Sequence, residues 1–296
     1  MRIKIFQNEQ FLVWVILVVL TLIWGSSFIL IKKGLEVFTP VQVGTARIAF
    51  AFLALLPYAI PNLKKIPLKR WKVMIVIGFL GNLIPTYLFS IAETELKSSL
   101  TGILNALTPV FTFIIAVFFF RHKVKWMQIL GLLLAFAGSL GLSFVNESGS
   151  LGSMNFFVWF VVLATLLYAV SLNLIKHYFN DTNAILLSAL AMFSVGPAAM
   201  IILFSTDFIS RLQNAPGAFE SLSYIAILGL AGTAFALILY NKLIRITTAV
   251  VASSVTYLIP FVAVLWGLLD GESLYMLHYT GLIITIIGIY IVNKSK

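Results

Sequence analysis

A duplicated segment constrains the fold of this chain more than any other feature. Residues 21–33 read TLIWGSSFILIKK and residues 165–177 read TLLYAVSLNLIKH, an offset of 144 at which six of thirteen positions are identical. The aligned pairs keep their chemistry, since Trp24 aligns with Tyr168, and each copy lies in or at the end of a long apolar run. The chain is therefore predicted to contain two copies of one apolar unit.

Further anchors repeat in the same order along the rest of the chain. A repeat of this kind is best explained by duplication, and it predicts one unit over residues 1–146 and a second over residues 147–296. The matched anchors, at offsets of 150 or 151, are GFLG at 78–81 with GLAG at 229–232, Pro109 with Pro260, and GLLLAFAG at 131–138 with GLIITIIG at 281–288.

Long runs without acidic or basic residues place both units in a lipid bilayer. The chain is 61% hydrophobic and 10% charged, with a mean hydropathy of +1.05, whereas soluble domains are about half apolar. About 20 apolar residues in a helix cross the hydrocarbon of a membrane. Nine runs are this long: 11–31, 73–92, 98–120, 126–146, 148–175, 182–206, 221–241, 246–269 and 273–293.

A tenth run, residues 40–60, is interrupted by Arg47 alone and must cross if its neighbours are to be oriented consistently. The predicted fold is an all-α integral membrane protein with ten transmembrane helices. Five spans per unit is an odd number, so the second unit is predicted to be inverted relative to the first. Inverted repeats are typical of secondary transporters, whose substrate site lies near the bilayer midplane between the two units.

The basic residues predict the orientation of these helices. Of the twenty Lys and Arg residues, Arg47 lies within a span; with the N-terminus inside, fifteen of the others are cytoplasmic and four are outside. Cytoplasmic loops carry the excess of Lys and Arg in membrane proteins. Both termini and the basic loop 62–72 are therefore predicted to be cytoplasmic.

Several residues give the chain a resemblance to a known family. The chain resembles the EamA branch of the drug/metabolite transporter superfamily over essentially its whole length. The resemblance implies a bacterial inner-membrane exporter of amino acids or other small metabolites, with a cavity lined by the first, third, fourth, sixth, eighth and ninth helices. It is carried by the segment WGSSF at 24–28, Lys32, Pro40, Arg47, Pro109, Gly131 and Gly138.

The first unit departs from the pattern of that family in one place. Members usually carry a Gly-Glu pair after the fourth and the ninth helix. The second unit keeps Gly271 and Glu272, but the corresponding stretch of the first unit is Arg121-His122-Lys123. A basic loop suits the cytoplasmic side, and any role that requires both glutamates is not supported by this sequence.

Aromatic and polar residues deep in the apolar runs are the candidates for binding a substrate, because burying them in lipid without a role is costly. Trp24 and Tyr168 are predicted to face each other across the cavity. For the polar members, hydrogen bonding between helices is the competing interpretation. The candidates are Trp24, Ser27, Asn82, Thr86, Asn105, Tyr168, Ser171, Asn173, Thr233 and Tyr257.

Arg47 either holds a substrate carboxylate or has a structural role, pairing with helix-end carbonyls or with an outer acid such as Glu36. Pro85, Pro109 and Pro260 each remove a backbone hydrogen bond within a span and are predicted to kink their helices. None of the ten acidic residues lies at a midplane position, so the sequence identifies no acid that would couple transport to protons.

The predicted function is secondary transport of a small amino acid-like or drug-like solute by alternating access, with export as the predicted direction. A channel-like facilitator and a membrane scaffold without transport activity stay open as alternatives. No motif of an enzyme or of an ATP-driven pump is found, and there is no cysteine. No cofactor or metal is predicted. The expected partners are the lipid bilayer and a small-molecule substrate, not nucleic acid, and the chain is a monomer or a homodimer.

The predicted orientation can be tested by labelling, because the chain has no native cysteine. We expect a cysteine introduced at Lys65 to resist a membrane-impermeant thiol reagent in intact cells and a cysteine at Ser148 to react with it. The reverse pattern would contradict the orientation.

Overall fold

The structure, a computed structural model, describes residues 2–120, 125–142, 155–247 and 252–294. Within these ranges the chain forms helices and their connections, with no β-strand. The first half contains α1 (Arg2–Gly25), α2 (Ser27–Leu35), α3 (Pro40–Ala59), α4 (Leu68–Gly78), α5 (Ile84–Ala92), α6 (Ser98–Leu104), α7 (Thr108–Phe120) and α8 (Trp126–Leu142). The second contains α9 (Val158–Tyr178), α10 (Ala184–Phe204), α11 (Phe208–Asn214), α12 (Ala218–Gly229), α13 (Ala236–Ile246), α14 (Ile259–Leu269) and α15 (Met276–Lys294).

Several of these elements join into helices that are long and apolar enough to cross a membrane, so the chain is an all-helical membrane protein. Seven such helices lie in the described part of the chain: Gln10–Leu35, Pro40–Lys65, Leu68–Ala92, Ser98–Phe119, Val158–Tyr178, Ala184–Phe204 and Ala218–Ile246. Three shorter apolar helices, Trp126–Gly138, Val255–Leu269 and Met276–Gly288, coincide with the predicted fifth, ninth and tenth spans.

Two predicted boundaries differ from those in the structure. The first helix runs on to Leu35 instead of ending at residue 31, because Lys32 and Lys33 find acidic partners at its end and continue the helix. The sixth span begins at Val158, not at residue 148. The predicted boundary between the units, at residues 146 and 147, lies outside the described residues.

Four irregular turns interrupt the spans, and the sequence explains their positions. One π-helical turn covers Phe79–Leu83 and another covers Leu230–Phe235. A 3-10 turn covers Asn105–Leu107 and another Ser254–Tyr257. Each π turn contains a glycine of the repeated GFLG and GLAG segments, and π turns inside helices are frequent at functional sites.

The three prolines predicted to kink helices lie next to these turns. Pro85, Pro109 and Pro260 are each the second residue of the segment that follows an irregular turn, namely α5, α7 and α14. A proline is tolerated in the first turn of a helix, where its missing N–H has no partner to lose. The change of helix geometry therefore occurs just before each proline.

The helices pack through two large groups of buried apolar side chains, one toward each end of the bundle. The first includes Leu20, Met74 and Phe179, and the second includes Ile31, Phe38 and Leu203. We call the end where α2 is followed by α3 the Lys32 end, and the opposite end, where α9 is followed by α10, the Lys176 end.

The helices α8 and α15 approach each other closely through the repeated glycines. A Cβ added at Gly138 would lie 2.7 Å from the backbone nitrogen of Thr285 and 2.9 Å from the carbonyl oxygen of Gly281. The pair can pack only because Gly138 has no side chain at this crossing, as in other close helix contacts in lipid.

We therefore expect Gly138→Ala to destabilise the protein by about 1–3 kcal/mol, the usual cost of overpacking. Gly141→Ala is the matched control on the same helix, because nothing lies within 4 Å of a Cβ at that position. Thermal unfolding in detergent measures both variants. Equal melting temperatures for the two would contradict the close contact.

Candidate functional site

A cavity of about 120 Å³ lies between the two apolar groups. Its wall is largely aromatic and polar, and Arg47 is the charged residue in it. The aromatic members are Trp24, Phe28, Phe89, Tyr168 and Tyr240. The polar members are Ser27, Asn82, Asn105, Thr108, Ser171, Thr233, Asn241 and Thr256.

Seven of the ten predicted binding residues lie together in this wall: Trp24, Ser27, Asn82, Asn105, Tyr168, Ser171 and Thr233. The six helices implied by the resemblance all contribute to it. The second and seventh helices contribute as well, through Arg47 on α3 and through Leu187 and Ala191 on α10. Whether these residues bind a substrate stays a prediction.

The other three predicted residues are not in the cavity wall. Thr86 donates its hydroxyl to the carbonyl oxygen of Leu83, in the same span, at 2.8 Å. Asn173 donates its amide to the carbonyl oxygens of Ala169, at 2.9 Å, and of Thr112 on α7, at 3.2 Å. Tyr257 packs against a small group of buried residues, Ala106, Val110 and Ala135. Substrate binding by these three residues stays a prediction, and helix packing is the competing explanation of their depth.

Trp24 and Tyr168 both border the cavity, but each ring is paired with another aromatic ring. Trp24 lies 4.8 Å from Tyr240, centroid to centroid, and donates its indole N–H to the carbonyl oxygen of Gly232 at 3.0 Å. Tyr168 stacks on Phe89 with 5.8 Å between centroids. Contact of both rings with one substrate stays a prediction.

Arg47 is buried in the wall of the cavity, with 8% of its surface exposed. Its Nε donates to Thr233 Oγ1 at 2.7 Å, and that hydroxyl donates in turn to the carbonyl oxygen of Leu228 at 3.1 Å. The π turn sets up this second bond, because Thr233 reaches five residues back instead of four. The predicted pairing with Glu36 is wrong, since Glu36 accepts from Lys33 instead.

The rest of the Arg47 guanidinium is available for a ligand. In the described part of the chain its two terminal nitrogens have no hydrogen-bond partner, and no carboxylate lies within ion-pair distance of them. A guanidinium is charged at every accessible pH, and its planar fork binds a carboxylate or phosphate through two N–H groups.

Pairs of positions that are aligned by the repeat both lie in the cavity wall. The repeat would therefore have identified cavity residues that the sequence prediction missed. At an offset of 151, Tyr240 aligns with Phe89, Thr233 with Asn82 and Thr256 with Asn105, and all six are in the wall. Arg47 aligns with Ala191 at an offset of 144, and both are again in the wall. The cavity is therefore nearly symmetric in position, but its charge comes from one half.

At the Lys32 end, ion pairs join the end of α2 to the connection between α14 and α15. Lys32 Nζ lies 2.7 Å from Asp270 Oδ2 and 3.0 Å from Glu272 Oε1. Lys33 Nζ lies 3.0 Å from Asp270 Oδ1 and 2.9 Å from Glu36 Oε1. The hydrogen bond from Lys32 lowers the pKa of Asp270, against the opposing effect of partial burial.

Glu272 extends these contacts to the start of α6. Its carboxylate accepts from the backbone N–H groups of Ser98, at 2.9 Å, and Ser99, at 3.1 Å, and from their hydroxyls at 2.8 and 2.6 Å. Burial alone would raise the pKa of Glu272, but the bonds from Ser99, Lys32 and Ser98 outweigh it and lower the pKa. We call Lys32, Lys33, Ser98, Ser99, Asp270 and Glu272 the Lys32 cluster.

The opposite end of the bundle lacks a comparable cluster among the described residues. Lys176, which aligns with Lys32, donates to the carbonyl oxygens of Ile244 at 2.9 Å and Thr247 at 2.6 Å. The ion pair described at that end is exposed and joins Arg70 to Asp181 at 3.0 Å. The stretch Arg121-His122-Lys123, which lacks the acid of the Gly-Glu pair, lies outside the described residues.

The sequence of the whole chain matches a known transporter family. A profile of the EamA-like transporter family matches residues 12–144 and again residues 155–294. The chain belongs to the EamA-like transporter family. Members of this family are transporters, not enzymes, which confirms both the resemblance and the absence of an enzymatic function predicted from the sequence.

Individual relatives agree with this assignment over most of their length. An uncharacterized transporter of Archaeoglobus fulgidus is 24% identical over 96% of this chain and 99% of its own. The uncharacterized inner membrane transporter YedA of Escherichia coli K12 is 24% identical over 94% of this chain and 89% of its own. A probable terminal-alkyne amino-acid exporter of Streptantibioticus cattleyicolor is 23% identical over 95% of this chain and 93% of its own. A protein of known crystal structure, 12% identical, shares the fold with a TM-score of 0.67, and the alignment covers 95% of this chain and 96% of that protein.

We expect Glu272→Gln to loosen the Lys32 end. Breaking one partner of a buried ion pair costs about 3–5 kcal/mol, and even about 1.4 kcal/mol changes an equilibrium tenfold. A cysteine at Ser27, in the cavity wall, should then react with a thiol reagent at least about tenfold faster.

The matched control is Glu220→Gln in the same Ser27→Cys background. Glu220 is an exposed acid at the same end whose carboxylate accepts from Tyr224 one helical turn away. Equal reaction rates in the two variants would show that the Lys32 cluster does not close this end.

Proposed function

We propose that this protein is a secondary transporter that moves a small organic anion or zwitterion, such as an amino acid, by alternating access at the cavity. The proposal includes ten transmembrane helices arranged as two inverted units, residues 1–146 and 147–296, and export as the direction of transport. Both termini are cytoplasmic in this proposal, following the distribution of basic residues.

The observation that carries the proposal is the unpaired fork of Arg47 in the wall of the cavity. A charge buried in a membrane protein needs a partner or water, and in the described residues its single side-chain bond is to a neutral hydroxyl. A substrate carboxylate would supply the missing counter-charge. The substrate would then be fixed by two parallel N–H···O bonds.

The rest of the wall favours a substrate with an apolar or aromatic body. Trp24, Tyr168 and Tyr240 offer ring faces and edges. The amides of Asn82 and Asn105 offer donors and acceptors for a neutral polar group. A cavity of about 120 Å³ is well below the range of about 300–1,000 Å³ that is common for drug-sized ligands, so the solute is small.

Alternating access is supported by the contrast between the two ends of the bundle. The Lys32 cluster ties α2, α6 and the α14–α15 connection together at one end. At the other end Lys176 contacts carbonyl oxygens, which a small movement can replace with water. A carrier must open one end while the other stays closed. Ends that are held together with different strength can open at different times, as such exchange requires.

The inverted arrangement is supported by positions matched in the two halves. The family profile matches each half separately, and the repeat-matched pairs described above line one cavity. The printed name of the S. cattleyicolor relative describes a probable exporter of an amino acid. This relative favours amino acid-like solutes and export over the other substrates that the cavity could accept.

Thermal unfolding of the purified protein in detergent identifies the substrate class. A ligand that binds the folded state raises the melting temperature by mass action. We expect amino acids to stabilise the protein and their carboxamides, which lack the carboxylate, to leave it unchanged. Stabilisation by amphiphilic cations or nucleosides but not by acids would contradict the proposed role of Arg47.

Counterflow in liposomes separates a carrier from a channel-like facilitator. A carrier loaded with the unlabelled solute accumulates the labelled solute transiently, because it exchanges one molecule for another. An open pore only dissipates the gradient.

Arg47→Gln should weaken binding of an acid identified in this way by about tenfold to a hundredfold. A hydrogen bond to a charged group contributes about 1.5–3 kcal/mol, and each 1.4 kcal/mol is about tenfold in affinity. Binding of the matching carboxamide should not change. Titration of the melting temperature against ligand concentration measures both.

Thr233→Val is the matched control for the Arg47 variant. It removes the hydroxyl that accepts from Nε and keeps the charge, so selectivity for the acid over the amide should survive. If Arg47→Gln discriminates acid from amide as well as the unaltered protein does, then the guanidinium does not bind the carboxylate.

A further inference from the structure

Glu93 is a buried acid that the proposed binding site does not use. It directly follows α5 and is 7% exposed. In the described part of the chain neither carboxylate oxygen has a hydrogen-bond partner. A buried carboxylate without partners is strongly destabilised relative to water, and such a group is held protonated instead.

The position of Glu93 joins the cavity to the Lys32 cluster. Its backbone N–H bonds to the carbonyl oxygen of Phe89, one helical turn earlier, and Phe89 lines the cavity. On the other side, residues 94–97 connect Glu93 to Ser98 and Ser99, which hold Glu272. A movement that separates α6 from Glu272 therefore acts on the segment next to Glu93.

The charged groups around Glu93 come from three other elements. Lys32 on α2 and Arg47 on α3 favour the charged form, while Glu272 before α15 disfavours it. Burial is the largest effect, and with the charge of Glu272 it raises the pKa of Glu93 well above the ordinary range. Both lysines of the cluster and Glu272 itself are satisfied by their own partners.

We propose that Glu93 is a proton-binding site that makes the opening of the Lys32 end, and with it solute exchange at that end, depend on the pH of the water on that side. This inference rests on the transport function proposed above. With the Lys32 end closed, Glu93 carries a proton. When this end opens, water reaches the carboxyl, which releases the proton to that water or takes one from it.

The sign of the coupling follows from linkage. The closed conformation binds the proton more tightly than the open one, so acid favours closure of the Lys32 end. As pH rises through the pKa of the closed conformation, this contribution to closure is lost and the open conformation gains population. The proton is taken from and returned to the water on the Lys32 side, so acid on that side should slow the exchange of solute through that end.

The first experiment measures opening without any solute. Nitroxide labels are attached to Ser210→Cys, on α11, and Ser273→Cys, next to Glu272; both positions are exposed. Pulsed electron paramagnetic resonance in lipid nanodiscs then gives the distance between them as a function of pH. We expect the unaltered background to show a short distance in acid and a longer one in alkali.

Glu93→Gln, a neutral substitute for the protonated acid, should hold the short distance at every pH. Glu95→Gln is the matched control, because Glu95 is exposed two residues away, and it should keep the pH dependence. A label distance that still depends on pH in Glu93→Gln, or one that does not change with pH in the unaltered background, would overturn the proposal.

Infrared difference spectroscopy detects the proton on the carboxyl directly and needs no movement of the helices. It compares several variants, so misfolding of one of them does not decide the result. A protonated carboxyl band should persist above the ordinary glutamate range in the unaltered protein and in Glu95→Gln. The same band should shift in Glu93→Asp and vanish in Glu93→Gln. A band that survives in Glu93→Gln belongs to another acid and would overturn the assignment.

The transport assay separates this proposal from the one on which it rests. In liposomes with the same pH on both sides, counterflow of the solute should slow at least tenfold from alkali to acid in the unaltered protein and in Glu95→Gln, whereas in Glu93→Gln it should be slow and independent of pH. Absence of counterflow in every variant would contradict the transport function and leave the conformational and infrared results to decide on the proton site. Counterflow whose pH dependence is unchanged in Glu93→Gln would overturn the role of Glu93 alone.

Discussion

Charge buried in an apolar bundle is the constraint on which the rest of this structure depends. The low dielectric of the interior makes an unpaired charge far more costly there than in water. Glu272 shows how such a cost is offset, because its carboxylate receives two backbone N–H bonds, two hydroxyl bonds and the ammonium of Lys32. The helices that carry these partners are thereby held at fixed distances from one another.

The same constraint explains why the two ends of the bundle differ. Lys32 and Lys176 are equivalent in the repeat, but among the described residues Lys32 faces an acid and Lys176 faces carbonyl oxygens. Where the family pattern would place a second acid, this chain has Arg121-His122-Lys123. Serines that could hold such an acid are also missing, since Ser98 and Ser99 align with Ala249 and Val250 at an offset of 151. Ion pairing therefore favours closure of the Lys32 end over closure of the other.

The sequence predicted much of this architecture because membrane helices leave a strong local signal. Apolar length located the helices, and the internal repeat located the wall of the cavity through pairs such as Trp24 with Tyr168. The same approach did not separate Asn173 and Thr86, which are not in the cavity wall, from the residues that are. Depth in a span does not say whether a polar side chain bonds a neighbouring carbonyl or faces a cavity. Rotation about the helix axis depends on packing against other helices, which periodicity in a uniformly apolar helix does not report.

The burial of an acid at the end of a span is not visible in the sequence either. Glu93 follows the last residue of α5 and is nevertheless buried. The helix before it packs against α3 and α9, which are distant from it in the sequence. The partner of an acid is hidden in the same way, because Glu36 is the acid nearest to Arg47 in the sequence and yet it accepts from Lys33, three residues before it.

The asymmetry of the cavity has a consequence for how a solute lies in it. Positions matched by the repeat provide rings and amides on both sides, so the apolar body of a solute meets similar surroundings in either direction. Arg47 is matched by Ala191, which has no charge to offer. For the anionic solute proposed above, a carboxylate would have one favourable place and the solute one favourable orientation, with its anionic group toward α3. A scaffold that is nearly symmetric in position but has one charge would then bind its solute in a defined direction, while similar surroundings on both sides would let either half move around it.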